Sequence, residues 1–335
     1  MMNSAVGTST WEQLESEILE ESLAVEGLRA MLKQTIIGQD DLLEKLLVGL
    51  FGNGHILLEG VPGLAKTLTV KALATAVSAQ FSRIQFTPDL LPADILGTMI
   101  FNLHTNEFSV KKGPIFSNFV LADEINRAPE KVQSALLEVM QEHQVTIGGA
   151  TYALAPPFLV LATQNPIEQG GTYELPEAQM DRFMLKVVIS YPSLEEERII
   201  VRKNLAPSPT ALLPTFSLAN IVRAQELVKR IYIDEKVEDY ILNLVFCTRY
   251  PERYALAHLQ SFIRFGSSPR GSINLALAAR AYAFLQKRAY VTPEDVKYVA
   301  LDVLRHRVGL TYAARAENMT SDAILQEILG RVPAP

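Results

Sequence analysis

The sequence predicts an α/β fold: a parallel sheet with helices on both faces, followed by a mainly helical second domain. Three observations predict it. Short apolar runs alternate with stretches of helical periodicity through the first half of the chain, the pattern of buried parallel strands and their crossover helices. One such run leads through a Gly-rich turn straight into a helix. After Tyr191-Pro192 the apolar runs stop and helical periodicity alone continues, which places a boundary near residue 191.

Taken in order, the first ten residues are polar and expected to fray. Trp11 to Leu32 carries Leu14, Ile18, Leu19, Leu23, Val25, Leu28 and Met31 at helical spacing, with an acidic outer face. A second helix, Asp40 to Phe51, is stopped by Gly52-Asn53-Gly54. The run His55–Glu59 is the first strand, and a helix follows from Ala65 to Ala79. Further strands are expected at Ile84–Phe86, Phe119–Ala122, Phe158–Ala162 and Met184–Ile189, with a helix at Lys131–Glu142. Two segments break the rhythm. Gly97–Gly113 alternates around Thr105-Asn106 and Val145–Leu154 around Gly148-Gly149, so both are expected to be β-hairpins inserted in the core. Beyond the boundary, helices are expected at Leu194–Asn204, Leu218–Ile231, Glu235–Thr248, Ser272–Arg288 and Pro293–Val303, with Pro207, Pro209 and Pro214 in the first connection. The expected organisation is an N-terminal helical segment (1–33), an α/β core (34–190) and a helical domain (191–335).

Length and composition agree. At 335 residues the chain exceeds the roughly 250–300 at which single cores stop growing. With 48% hydrophobic and 20% charged residues it is neither disordered nor fibrous. One cysteine, Cys247, excludes a disulfide scaffold and a cysteine-built zinc site, and the five histidines are scattered without ligand spacing. No apolar run approaches the ~18 residues of a membrane span. Six Glu and no Lys or Arg lie between Met1 and Glu26, unlike the start of a signal peptide. A soluble, cytoplasmic protein that is not an integral membrane protein is expected. The net charge of −6 argues against bulk nucleic-acid binding, and no sequence-specific nucleic acid is expected as a partner.

The strongest chemical signal is Gly60-Val61-Pro62-Gly63-Leu64-Ala65-Lys66-Thr67, between a strand and a helix. That is the context of a phosphate-binding P-loop. Backbone N–H groups and the helix N-terminus would face a β-phosphate, Lys66 would reach the β- and γ-phosphates, and Thr67 would hold Mg²⁺. Ala65 stands where the common pattern has Gly, a position expected to lie already at the helix entry. The second signal is Phe119-Val-Leu-Ala-Asp123-Glu124, a buried strand ending in two carboxylates. Asp123 would bind Mg²⁺, directly or through water, and Glu124 would act as general base toward an attacking water. The third is Phe158–Pro166, whose Asn165 could orient that water, or could equally belong to a plain Asn-Pro turn. Arg182, just before the last core strand, and Arg270, at the start of a helix in the second domain, gain meaning beside such a site.

Taken together these segments resemble the MoxR family of AAA+ ATPases. The resemblance spans roughly residues 30–310 and rests on the order and spacing of residues 60–67, 83–92, 121–129, 133–142, 162–166, 175–183, 268–270, 290–296 and 303–308. It implies an AAA+ core with two hairpin insertions and a helical lid. Asn165 would then be sensor 1, Arg270 sensor 2 reaching from the lid to ATP, and Arg182 the arginine finger supplied to a neighbouring subunit, with Arg127 a second candidate at the subunit boundary. It further implies a homo-oligomeric ring, expected to be hexameric, a chaperone-like remodelling or maturation role, and a client or adaptor such as a von Willebrand factor A domain protein. Residues 249–307 carry ten Lys or Arg against four Asp or Glu, which suits a lid beside a polyphosphate and equally a solvated basic face.

Three other readings use the same parts. A small-molecule kinase or GTPase also has a P-loop, but the sequence holds no Asn-Lys-x-Asp guanine-reading motif. A DNA-directed AAA+ motor would need basic hairpin tips; Lys111 and Lys112 flank the first hairpin, and the second has none at Gly148-Gly149. A scaffold that binds nucleotide without turnover would have no use for the full set of Lys66, Asp123, Glu124 and Arg182.

Overall fold

The structure, a computed structural model, describes residues 4–61, 63–64, 66–104, 106–165, 173, 175–205 and 216–335. Pro62, Ala65, Thr105, Pro166, Pro207, Pro209 and Pro214 lie outside the described residues.

Two helices, α1 (Ser4–Thr35) and α2 (Asp40–Phe51), precede the sheet. The first begins before Trp11, so helix replaces the frayed end expected for Ser4–Thr10. Then come β1 (Ile56–Glu59), α3 (Lys66–Ala76), β2 (Phe81–Gln85) and α4 (Pro92–Leu96). The first hairpin, β3 (Gly97–Asn102) with β4 (Glu107–Lys112), leads to β5 (Phe119–Asp123) and α5 (Glu130–Glu142). The second, β6 (Gln144–Ile147) with β7 (Ala150–Ala153), leads to β8 (Leu159–Gln164), α6 (Glu177–Met180) and β9 (Leu185–Val188).

Five strands form one parallel sheet in the order β2-β5-β8-β1-β9. Period-two alternation divides each central strand between two cores. Ile56 and Leu58, Phe119 and Leu121, and Leu159 and Leu161 face the helical core that holds α1, α2 and α3. Leu57, Val120, Ala122, Val160 and Ala162 face the opposite core, under α5 and the hairpins. Side chains buried on both faces explain why these strands read as continuous apolar runs.

The C-terminal region holds α7 (Leu194–Leu205), α8 (Leu218–Arg230), α9 (Glu235–Arg249), α10 (Pro269–Leu285), α11 (Pro293–Leu304), α12 (Tyr312–Ala316) and α13 (Ser321–Arg331). Contrary to the expectation that strands end at residue 191, a small antiparallel pair forms from β10 (Ile263–Phe265) and β11 (Gly309–Leu310). Three and two residues are too short to carry a pattern in sequence. The N-terminal helix is no outrigger: Leu14, Ile18, Val25 and Leu28 share one core with Ile221, Leu227 and Leu275. Ion pairs Glu17–Arg230 (2.7 Å) and Glu26–Lys287 (2.6 Å) and the edge-to-face contact of Trp11 with Tyr232 fasten its outer side.

Candidate nucleotide site

The register of the parallel sheet sets the C-terminal ends of β1, β5 and β8 side by side, the edge where ligands bind in open α/β sheets. Glu59 lies beside Gln164, and Ala122 beside Ala162, so Asp123, Thr163 and Asn165 emerge together next to the turn that follows Glu59. In that turn Gly63 has φ +88°, a conformation costly for any residue with a Cβ. At Gly60 a Cβ would stand 3.1 Å from Ile189, tighter than ordinary contact, so the bare backbone suits the loop's close approach to the residue that follows β9.

A cleft of about 360 Å³ opens at this edge. Its walls include Gly63, Leu64, Lys66, Thr67, Asp123, Glu124 and Asn165, so seven of the residues singled out in sequence meet in one place. Gly60 and Val61 belong to the same loop; Pro62 and Ala65 lie outside the described residues. The Lys66 ammonium donates to the Gly60 carbonyl and curls back over its own loop. Burial pushes its pKa down, against the opposing pull of Asp123, Glu124 and Glu59.

Both carboxylates are held. Thr163 Oγ1 donates to Asp123 Oδ1 (2.6 Å), and Arg83 donates to Asp123 Oδ2 from Nη2 (2.6 Å) and Nε (3.0 Å). Glu124 sits in the left-handed region at φ +56°, which costs about 1–2 kcal/mol for a residue with a Cβ. Its backbone N–H donates to Thr163 Oγ1 (2.8 Å), which helps fix that conformation. Its carboxylate accepts from Gln85 Nε2 (2.7 Å) and pairs with Arg127 Nη1 (3.0 Å). Arg127, considered for the subunit boundary, is thus engaged by Glu124 of its own chain. Sequence motifs assign no role to Arg83, Gln85 or Thr163, whose one signal is polarity at the ends of strands adjacent to the Asp-Glu pair.

Arg182 and Arg270 lie elsewhere. They line a separate cleft of about 200 Å³ together with Asp181, Met140, Gln141 and Asn274. Arg270 is not among the residues lining the Lys66 cleft and lies instead beside Arg182. The second cleft is rigidly framed. Asp181 accepts from Ser268 Oγ (2.8 Å) and from Arg307 Nε (2.8 Å). Ser268 also caps α10, accepting from Arg270 N–H (3.1 Å). Arg307, its side chain fully buried, donates further to the carbonyls of Asp181 (3.0 Å), Phe183 (2.6 Å) and Met184 (3.2 Å).

Residues 55–185 match the ATPase family associated with various cellular activities (AAA), and residues 256–328 match the AAA lid domain. The chain is 50% identical over 303 residues to Chaperone MoxR1 of Mycobacterium tuberculosis, covering 90% of this chain and 80% of that one. It belongs to the MoxR family of AAA+ ATPases. Protein MoxR of Paracoccus denitrificans is 30% identical over 329 residues, covering 91% of this chain and 95% of that one. The crystal structure of a Cytophaga hutchinsonii protein described as an ATPase superposes with a TM-score of 0.91 at 48% identity, covering 97% of this chain and 98% of that one. An MCM homolog from Methanopyrus kandleri, at 17% identity and TM-score 0.58 over 88% of this chain and 62% of that one, shares the fold. The AAA+ core with a helical lid expected from the sequence is therefore the MoxR-family architecture. Among the described residues no helix is long and apolar enough to cross a membrane, and no cluster of His, Cys, Asp and Glu could hold a metal without other ligands.

Proposed function

We propose that the chain is a Mg²⁺-dependent ATP hydrolase of the cytoplasm that works as a homo-oligomeric ring, expected to be hexameric, and remodels or matures partner protein complexes. A von Willebrand factor A domain protein is the expected adaptor. The observation that carries this reading is the separation of two clefts: Lys66, Thr67, Asp123, Glu124 and Asn165 line one, and Arg182 and Arg270 line the other. Two arginines that line a cleft apart from their own chain's phosphate cradle are placed to complete a neighbour's in this reading. In this reading residues 1–33 form an N-terminal segment, 34–190 the nucleotide-binding core and 191–335 the lid.

The residues present suit Mg²⁺: the Thr67 hydroxyl and the Asp123 carboxylate are hard oxygen donors, and Arg83 already rests a positive charge on Asp123 Oδ2. When bound, the ion would neutralise charge developing on the β- and γ-phosphates. The loop from Gly60 to Lys66 and the start of α3 would present N–H groups to the phosphates. Lys66 would exchange the Gly60 carbonyl for phosphate oxygen. Glu124 would take a proton from the attacking water; Gln85 and Arg127 both engage its Oε2, and neither engages Oε1. Asn165 would orient that water, and Arg182 and Arg270 would stabilise the transition state in the neighbouring subunit's site.

The first hairpin exposes Met99, Ile100, Phe101, Leu103 and Phe108, and Lys112 stacks over the rings of Phe116 (4.8 Å) and Tyr152 (5.4 Å). An apolar hairpin supports a polypeptide client over a phosphate backbone, against the DNA-directed alternative.

The test is steady-state Mg-ATP hydrolysis against protein concentration, with Lys66→Ala as control. Specific activity is expected to rise with concentration and to vanish in the control. ATP binding without turnover at any concentration would leave a nucleotide-gated scaffold instead.

A further inference from the structure

The lid carries an arginine with no visible use. Arg280, on α10, lines a groove of about 360 Å³ between α9 and α10 whose walls include Ile241, Leu242, Ile273, Ala276 and Glu238. Its Nε is buried without a hydrogen bond, and it forms no ion pair with any described residue. Glu238 exerts a favourable field on it but burial dominates, pushing its pKa down. A half-buried guanidinium with one buried, unbonded N–H against apolar walls is costly unless an anion completes it. The groove is also open on its apolar side, with Ile273 57% and Leu242 39% exposed.

The same chain carries a helix with the opposite need. None of the twelve residues of α7 is buried. Leu194, Val201 and Leu205 fall on one face at helical spacing, 73%, 51% and 80% exposed. Glu197 and Arg198 flank that stripe, one on each side. The geometry points to α7 of one copy seated in the α9/α10 groove of a second copy, with Glu197 meeting Arg280 and Arg198 meeting Glu238. Spacing agrees for an antiparallel arrangement. From Glu197 to Leu205 is about 12 Å along α7, and from Arg280 back to Ile273 about 10 Å along α10. Leu205 then covers Ile273, as an amphipathic helix covers an apolar groove. Because groove and helix are different surfaces of one chain, the contact is head-to-tail, the kind that can close a ring. The inference rests on the reading that the chain works as a homo-oligomer.

The test uses two full-length proteins, one carrying Leu205→Cys and the other Ile273→Cys, mixed under mild oxidation. Native Cys247 is buried with its thiol pushed up to about 12, so it does not compete. The expected result is an inter-chain disulfide at least tenfold above that of a control pair, Leu103→Cys with Ile273→Cys. In sedimentation, Arg280→Glu is expected to raise the concentration for half-assembly about tenfold, and adding Glu197→Arg in the same chain to restore it. No cross-link at a concentration where sedimentation shows assembled protein would overturn the docking and leave the oligomer standing. No assembly at any concentration, with or without ATP, would overturn the oligomer reading and the docking with it.

Discussion

Thr163 donates its hydroxyl proton to Asp123 Oδ1 across 2.6 Å while the same oxygen accepts the backbone N–H of Glu124. One side chain from a neighbouring strand therefore positions both carboxylates of the candidate site. Thr163→Val keeps the shape and removes the hydroxyl. It is expected to cost about 1–3 kcal/mol in urea unfolding, because a part-buried N–H loses its partner. ATP turnover is expected to fall tenfold or more while nucleotide binding persists. Unchanged turnover at the lowered stability would make Thr163 a packing residue only.

The pairing of Arg182 with Arg270 in one cleft makes a prediction about inheritance between subunits. Either Arg→Ala variant alone is expected to lose about 10³–10⁵ in rate, the usual effect of removing an arginine finger. Glu124→Gln alone is expected to bind ATP without turning it over. Mixing Glu124→Gln with Arg182→Ala, or with Arg270→Ala, should recover part of the activity in both cases. Recovery with Arg182→Ala but not with Arg270→Ala would place Arg270 over its own chain's nucleotide.

Asp181 offsets a guanidinium that is wholly withdrawn from water, for the Arg307 side chain is fully buried. Burial, with a smaller push from Arg270, pulls Arg307 down to about 10 despite the support of Asp181. Asp181→Asn leaves that charge uncompensated, and stability is expected to drop by about 3–5 kcal/mol. Calorimetry or urea unfolding would measure it; a loss below 1 kcal/mol would show that the backbone carbonyls suffice.

His55 sets an acid limit on stability. Its Nδ1 accepts from Val160 N–H (3.0 Å), so Nε2 carries the proton given to the Met140 carbonyl (3.0 Å). Burial holds its pKa at about 4, below the ordinary 6.5. The unfolded chain takes up a proton first, so the stability His55 contributes is complete above pH 6.5 and is lost as pH falls toward 4. The loss amounts to about 3 kcal/mol. His306, pushed down by burial and by Arg307, adds in the same direction. Unfolding between pH 7.5 and 4.5 should show a smaller pH slope in His55→Gln than in the unsubstituted chain; equal slopes would assign the effect elsewhere.

Most of the sheet is legible in sequence because the central strands β1, β5 and β8 are apolar on both faces and β9 keeps an apolar run around Lys186. The edge strand β2 is less so. It begins at Phe81 and not at Ile84, and of its five residues only Ile84 is buried. Its polar side chains are what the site uses, since Arg83 and Gln85 reach Asp123 and Glu124. Local motifs marked Lys66, Thr67, Asp123 and Glu124, whose chemistry is written in contiguous residues. Thr163 and Arg307 were not marked, because their partners Asp123 and Asp181 lie 40 and 126 residues away. The side of the molecule on which Arg270 stands is likewise a property of packing and not of its own segment.

Arg307 holds the backbone on both sides of Arg182, and Ser268 joins Asp181 to the first turn of α10, which carries Arg270. The two arginines therefore ride on one rivet. These bonds run from the lid to the core segment that carries Arg182, so a lid swinging on its own core would have to break them, and while they hold, lid and core edge turn as one body. In the proposed oligomer the two charges would then reach a neighbour's nucleotide together, and loosening the rivet would desynchronise them without altering either one.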